Sequence, residues 1–147
     1  MKNQELIKFL NQLLSNYFIC EITSVPLVCS RKSFFQLHSI FEKMYVECSE
    51  HLDEIAEHIM VIGGKQLATL SMYLKQGTLD EANADDTVEE IILQLSNDLE
   101  RLINEVSELG LSLTNEVTES LSNNILTEHL TKIENKLWML KAYQSEN

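Results

Sequence analysis

Four polar side chains with metal-binding chemistry, His38, Glu42, Asp53 and Glu57, stand in a stretch that otherwise reads as one long helix. His38 and Glu42 are spaced i,i+4, and so are Asp53 and Glu57, so each pair shares one face of a helix. An imidazole and three carboxylates form a plausible ligand set for a metal ion. The alternative is that all four are surface charges on a solvated helix.

The distance between the two pairs limits what one chain can do with them. His38 and Asp53 are separated by about 22 Å along a helix at ~1.5 Å per residue, but by only about 60° around it. Both pairs therefore face roughly the same way, yet they cannot bind the same ion within one chain. If a two-fold axis crossed near Tyr45–Val46, an antiparallel second copy would place its Asp53 and Glu57 beside His38 and Glu42. A homodimer would then hold two identical sites.

The helix that carries these residues is predicted from Ser33 to Gly64. Ser33 and Gln36 form a capping box, and Gly63–Gly64 supplies a left-handed stop. The face with core periodicity consists of Phe34, Leu37, Phe41, Met44 with Tyr45, Cys48, Leu52, Ile55, Met60 and Ile62.

The first helix is expected from about Asn3 to Val25, because Pro26 disfavours helix just before itself and should end or kink it. Its inward residues are predicted to be Leu6, Phe9, Leu10, Leu13, Leu14, Tyr17, Ile19 and Ile22. A long connection from Lys65 to Asp85 contains a predicted short helix around Ala68–Lys75 that ends at Gly77.

Two more long helices follow. Thr87 and Glu90 form a capping box for the third helix, expected to run to Gly110, and the fourth is expected over about 117–143. Their predicted inward residues are Ile91, Leu95, Leu99, Leu102, Val106 and Leu109, then Leu121, Ile125, Leu130, Ile133, Leu137 and Leu140. The chain is thus predicted to be all-α, one domain over residues 1–147. It should form a four-helix bundle whose long crossover lets the second and third helices run parallel.

Composition narrows the function classes. The formal net charge of −12 argues against a basic nucleic-acid surface. Three cysteines, Cys20, Cys29 and Cys48, form no CxxC pair; they are interpreted as reduced, small apolar residues, with Cys29 as a remote candidate for a replacement ligand. No apolar run approaches the ~20 residues of a membrane span, so a soluble, cytoplasmic protein is expected.

Other candidate sites are weaker. His51, Glu54 and His58 form a second stripe on the long helix, which is read as a surface face, with a site for a stray transition metal as the alternative. His129 stands alone and is taken as structural or exposed. No His has a Glu three positions before it, which argues against a di-iron carboxylate centre within one subunit. The tract 79–86 is expected to be a solvated acidic loop.

The long motif of the second helix, FFxLHxxFExxY…EHxDEIAExIxxIGG, resembles the Dps family of miniferritins, as does the stretch from Lys136 to Tyr143. The resemblance implies a ferritin-like bundle, with a short extra helix between helices 2 and 3, assembled into a hollow homo-oligomer of twelve subunits. It also implies a ferroxidase site at the two-fold interface. There, His38, Asp53 and Glu57 would bind iron directly, and Glu42 would bind a second iron or its bridging water.

The function implied is oxidation of Fe(II) by peroxide or oxygen and storage of ferric mineral, which protects against oxidative stress. One departure is clear, because the family's further His ligand before this helix is missing and no His precedes His38. A cage with an incomplete oxidation centre is therefore the alternative. DNA binding is not expected, since the termini offer few lysines. Glu108, Glu116 and Glu119, around the turn between the third and fourth helices, are candidates for an acidic pore that admits cations.

Overall fold

The computed structural model describes residues 3–28, 34–83 and 85–146, of which 26–28, 34–37 and 146 are described by their backbone alone. All regular structure in this part of the chain is helical. The helices are α1 (Gln4–Val28), α2 (Phe34–Val61), α3 (Leu70–Gln76), α4 (Val88–Asn104), a π-helical segment (Glu105–Gly110), α5 (Leu111–Glu116) and α6 (Ser120–Glu146).

Four long helical units form a bundle, with α4, the π-helical segment and α5 counting as one. Helix α1 packs along α2 on one side and α4 on the other, while α6 packs against α4 and, more loosely, α2. Helices α2 and α4 therefore occupy opposite corners, as a long crossover between them allows. Among the described helices, none combines the length and the apolarity that crossing a membrane requires.

The core is built mainly on α1, whose predicted inward residues from Leu6 to Ile19 are buried. Two predictions for this helix are wrong. Ile22 is about half exposed. The helix also continues beyond Val25 to Val28, so that Pro26 lies in its last turn. A proline so close to the end removes only the bond that its own N–H would have donated, and few backbone bonds remain to be lost.

The apolar face of α2 is confirmed at Phe41, Met44, Cys48 and Ile55, all buried. Ser33 and Gln36, the proposed capping box, lie outside the described side chains, as do Phe34 and Leu37. Met60 was predicted inward but is 62% exposed. The glycine stop is confirmed, because Gly63 has φ of 86° and the Gly64 N–H donates to the Ile59 carbonyl.

Polar side chains help to fix the crossover to the bundle, beside the apolar contacts of Tyr73 and Leu79. Asn16 of α1 accepts from the backbone N–H groups of Thr78 and Leu79 and donates to the Thr78 hydroxyl. Glu105 accepts from Asn16 and from the same hydroxyl. Gly77, predicted as the end of the short helix, ends α3 with its N–H bonded to the Tyr73 carbonyl. The acidic tract that follows is largely exposed, although Leu79 is buried.

The third long unit begins as predicted, because Thr87 and Glu90 make both hydrogen bonds of a capping box. The prediction that it ends at Gly110 is wrong, since the helix continues through a π-helical segment into α5. A Cβ on Gly110 would lie 2.7 Å from the Phe9 ring, so this glycine permits close packing of two helices instead of a stop. Leu109, predicted inward, is exposed, because the π-helical turn shifts the apolar register.

Helix α6 runs over Ser120–Glu146, slightly displaced from the predicted 117–143. Its buried face carries Ser122, Leu126, His129, Ile133, Lys136 and Leu140. The predicted face was therefore partly wrong: Ile133 and Leu140 are buried, but Leu121 is exposed and Ile125, Leu130 and Leu137 are half-buried. Three of the positions on the buried face hold polar residues, so the spacing of apolar residues indicated the wrong face of the helix.

Candidate metal centre

The first predicted pair lies on the described part of α2 and is already together. His38 Nε2 is 3.2 Å from Glu42 Oε2, and the two side chains are 34% and 57% exposed. Their i,i+4 spacing on a continuous helix produces this contact. Both side chains can therefore reach a ligand that approaches from outside the subunit.

The second pair, Asp53 and Glu57, is also exposed on α2. Helix geometry keeps it about 22 Å from His38 along the axis. Within the described residues of one chain, no three His, Cys, Asp or Glu side chains converge as a metal site would require. The structure thus brings together the members of each pair but not the two pairs, and the ligand assignment stays a prediction.

The surface between the two pairs has features of a contact surface. Val46 on α2 is 45% exposed and Trp138 on α6 is 72% exposed. A groove of about 320 Å³ lies between these helices and includes Ile40, Met44 and Trp138 in its lining. Large apolar side chains left exposed together often mark sites of association. Val46 itself lies near the midpoint between the two pairs, where the spacing predicts the two-fold axis.

The three candidate pore carboxylates lie at one end of the bundle. Glu108 belongs to the π-helical segment, Glu116 ends α5, and Glu119 lies in the turn before α6. Glu108 and Glu116 are exposed, and Glu119 is half-buried. Whether they line a pore depends on neighbouring subunits, so this assignment also stays a prediction.

The interior holds a histidine cluster that the sequence interpretation missed. His51 and His58 are buried rather than on a surface face, and His129 is buried and far from alone. The rings of His51 and His129 stack with centroids 4.2 Å apart. Tyr17 Oη lies 2.8 Å from His129 Nδ1, and His129 Nε2 lies 2.5 Å from Glu54 Oε1. The signal was available, because His51 and His129 both fall at core positions of their helical repeats.

Burial controls the charge of this cluster. Removal from water, with nearby His129 as a second cause, lowers the pKa of His51 to about 2. Both His51 ring nitrogens are buried and have no hydrogen-bond partner among the described residues. Burial also lowers the pKa of His129, against the opposing hydrogen bond from Glu54, and raises the pKa of Tyr17 well above its ordinary value. At neutral pH these three residues are therefore uncharged.

Other polar side chains and two thiols are also buried in the bundle. His58 Nε2 lies 2.5 Å from Ser122 Oγ. Lys136, on the core face of α6, forms an ion pair with Glu47 at 3.0 Å. Cys20 and Cys48 are buried free thiols, as their apolar interpretation requires, and burial raises the pKa of Cys48 to about 11. Cys29 lies outside the described residues.

The chain has clear relatives. A family model described as a ferritin-like domain matches residues 7–146. "DNA protection during starvation protein 2" of Bacillus anthracis is 29% identical over 146 residues, covering 98% of this chain and 99% of that protein. "General stress protein 20U" of Bacillus subtilis is 28% identical over 96% of this chain and 98% of its own length.

Solved structures agree with the fold. The crystal structure of a Dps protein from Bacillus brevis has a TM-score of 0.91 at 26% identity and covers 97% of both chains. That of Dps from Staphylococcus aureus has a TM-score of 0.89 at 27% identity and covers 95% of both. A Vibrio cholerae Dps, described as a member of a broad superfamily of ferritin-like diiron-carboxylate proteins, has a TM-score of 0.90 at 25% identity over 97% of this chain and 91% of that one.

The helical bundle and the domain match together define a ferritin-like protein. The named relatives and the structural neighbours indicate a narrower family within that class. The chain belongs to the Dps family.

Proposed function

We propose that this protein stores iron, oxidising Fe(II) at a site shared by two subunits and holding the ferric product inside a closed homo-oligomer. The observation that carries the proposal is the placement of two exposed ligand pairs on one face of α2, too far apart to serve one ion in a single chain. The exposed Val46 near the midpoint offers apolar surface that a second copy would cover, and Trp138 is exposed beside the groove between α2 and α6.

The proposed ligands suit Fe(II) as the substrate. One imidazole and three carboxylates combine borderline nitrogen with hard oxygen, which can hold iron as it passes from Fe(II) to Fe(III). In the proposed site, His38 of one subunit and Asp53 and Glu57 of the other bind one iron directly. Glu42 binds a second iron or the water that bridges the two. Hydrogen peroxide accepts two electrons, one from each of two Fe(II), and with two protons becomes water.

The missing histidine predicts a slow reaction. No nitrogen ligand precedes His38 in the chain, so the second iron would be held by fewer protein donors than the first. We expect the iron at His38, Asp53 and Glu57 to bind first and more tightly. The second iron should bind weakly and limit the oxidation rate.

Iron oxidation can be measured directly. Anaerobic protein is loaded with Fe(II), peroxide or oxygen is added, and ferric absorbance is followed together with the iron retained after gel filtration. Asp53→Asn/Glu57→Gln should abolish the protein-dependent oxidation of Fe(II), whereas Glu134→Gln, a carboxylate change on exposed α6 surface, should leave it intact. Equal kinetics for the two variants would refute the assignment.

The second candidate is a Dps-like cage that stores iron without a working oxidation centre, favoured by the absent nitrogen ligand. In that case, the double variant and the wild type would take up iron equally slowly. DNA binding has less support: the net charge is −12, and the starvation-protection names belong to the relatives. A gel-shift assay at low salt tests it, because phosphate contacts weaken steeply as salt rises.

A further inference from the structure

A small cavity lies between the C-terminal part of α1, the short helix α3 and the end of the crossover. Its volume is about 220 Å³, and residues from all three segments line it. This is less than the ~300–1,000 Å³ of pockets that take drug-sized ligands. At about 30 Å³ for each non-hydrogen atom, which is the share of a water molecule in the liquid, the cavity suits a ligand of roughly seven such atoms.

The walls of the cavity are mainly aliphatic and partly exposed. Ile19 and Ile22 of α1 and Leu74 of α3 all line it. Ile19 is buried, but Ile22 is 51% exposed and Leu74 is 43% exposed. A ligand with an aliphatic body would cover these two side chains, and removing their apolar surface from water would favour binding.

Thr23 adds a buried hydroxyl to this aliphatic lining. The residue lines the cavity and is only 2% exposed. Its Oγ1 atom has no hydrogen-bond partner among the described residues. Buried hydroxyls almost always have a partner, because leaving a hydrogen bond unmade is costly. A hydroxyl group on a ligand could supply the missing bond, since a hydroxyl can both donate and accept.

The charge on the exposed side of the cavity is negative. Glu81 lines the cavity and is exposed. It belongs to the acidic tract 79–86, which also contains Asp80, Asp85 and Asp86 and holds no lysine or arginine. Lys75, at the end of α3, is exposed and is not among the residues that line the cavity. The local potential therefore attracts a cation and repels an anion.

We propose that this cavity binds a short aliphatic amino alcohol. Its hydroxyl group bonds to Thr23, its methylene chain covers the aliphatic walls, and its ammonium group pairs with Glu81. Binding is reversible and makes no covalent bond. The four candidate iron ligands all lie on α2, whereas the cavity is lined by α1, α3 and the crossover. The proposal is therefore independent of the proposed iron chemistry.

The probe is 5-aminopentanol, which has the size estimated from the cavity volume. Hexylamine is the matched ligand, because it carries a methyl group in place of the hydroxyl. The full-length protein is titrated with each ligand in metal-free buffer at neutral pH and low salt. Saturation-transfer difference NMR suits ligands that bind weakly, and a dissociation constant of about 0.1–1 mM is expected for so small a ligand. 5-Hydroxypentanoate, which carries a carboxylate in place of the amine, should not bind.

Thr23→Val tests the buried end of the site, because it removes the hydroxyl at nearly constant volume. The ratio of the two dissociation constants measures the preference for aminopentanol over hexylamine. This preference should fall about threefold to tenfold in Thr23→Val, since the hydroxyl of the ligand loses its partner. Thr131→Val, the same change on the exposed surface of α6, should leave the preference unchanged.

Two further variants test the charge and the cavity itself. Glu81→Gln should weaken both amines about twofold to fivefold, as expected for an exposed ion pair, whereas Glu134→Gln on exposed α6 surface should not. Ala82 also lines the cavity, so Ala82→Leu should fill it and abolish binding of both amines. Circular dichroism checks that each variant is folded.

Several results would overturn the proposal. One is an unchanged preference in Thr23→Val, because the hydroxyl would then have no part in binding. Another is binding that survives in folded Ala82→Leu, which would indicate general attraction of amines to an acidic protein. If Ala82→Leu does not fold, the wild type still decides: no binding of either amine, or equal binding of 5-hydroxypentanoate, would overturn the proposal. A crystal structure with a second copy of the chain filling the cavity would do the same.

Discussion

Replacing His51 by leucine should make the protein's stability markedly less sensitive to acid. His51 is buried and its ring nitrogens lack partners among the described residues, and burial lowers its pKa to about 2. In the unfolded chain the pKa of a histidine is about 6.5. Below about pH 6.5 the unfolded state binds a proton at His51 that the native state does not bind, so acid favours unfolding.

The magnitude follows from the gap between the two pKa values. One pKa unit corresponds to about 1.4 kcal/mol. At about pH 7 the cost is small, because the unfolded histidine is mostly neutral. At about pH 5 the unfolded histidine is almost fully protonated while the native one is neutral. His51 therefore removes roughly 2 kcal/mol from the free energy of unfolding between these two pH values.

Urea unfolding followed by circular dichroism, at one fixed protein concentration, measures this difference. The wild type should lose about 2 kcal/mol more than His51→Leu between about pH 7 and pH 5. Phe41→Leu is the matched control, because it changes buried volume on the same helix without changing a titrating group. Its stability offset should be the same at both pH values. An acid-induced loss in His51→Leu equal to that of the wild type would refute the claim that native His51 stays neutral.

Three further changes test other parts of the structure. Burial, with Asp80 as a second cause, raises the pKa of Asp98 to about 7; the native state therefore keeps a proton that the unfolded chain releases as pH rises above about 4. Between about pH 5 and pH 8 the wild type should therefore lose about 2–3 kcal/mol more stability than Asp98→Asn. The same urea titration measures this, and an equal loss in the two proteins would contradict it. Asn16→Ala should cost about 2–4 kcal/mol and speed proteolysis in the crossover, whereas the exposed Asn97→Ala should do neither. Glu47→Ala should cost about 3 kcal/mol because it leaves buried Lys136 unpaired, and a cost no larger than that of a surface carboxylate would count against this.

The helices and their order could be predicted because apolar periodicity and end signals agreed. The Thr87–Glu90 capping box and the Gly63 stop occur as predicted. These signals are local, because they depend only on residues that are close together in the sequence. Gly110 shows the limit, since the same residue type served close packing against Phe9 instead of ending a helix.

The site was partly predictable for a related reason. Spacing along α2 alone gives the His38–Glu42 contact, and it also shows that the two candidate pairs cannot meet within one chain. The interior cluster was missed because His51 and His58 were read as surface residues and His129 as a residue standing alone, while Ser122 and Lys136 were not considered for the core. Their burial depends on partners from other helices, such as Tyr17 for His129 and Glu47 for Lys136, and sequence spacing does not reveal such pairs.

The shared site is tested most directly by mixing two damaged chains. One chain carries His38→Ala and the other carries Asp53→Ala with Glu57→Ala; they are dissociated, mixed and reassembled with distinct affinity tags, so that mixed oligomers can be isolated. Each mixed two-fold pair would contain one intact site and one stripped site. Mixed oligomers should therefore bind and oxidise more Fe(II) than either parent variant assembled alone. Iron binding no higher than that of the parents would contradict a site built from two subunits.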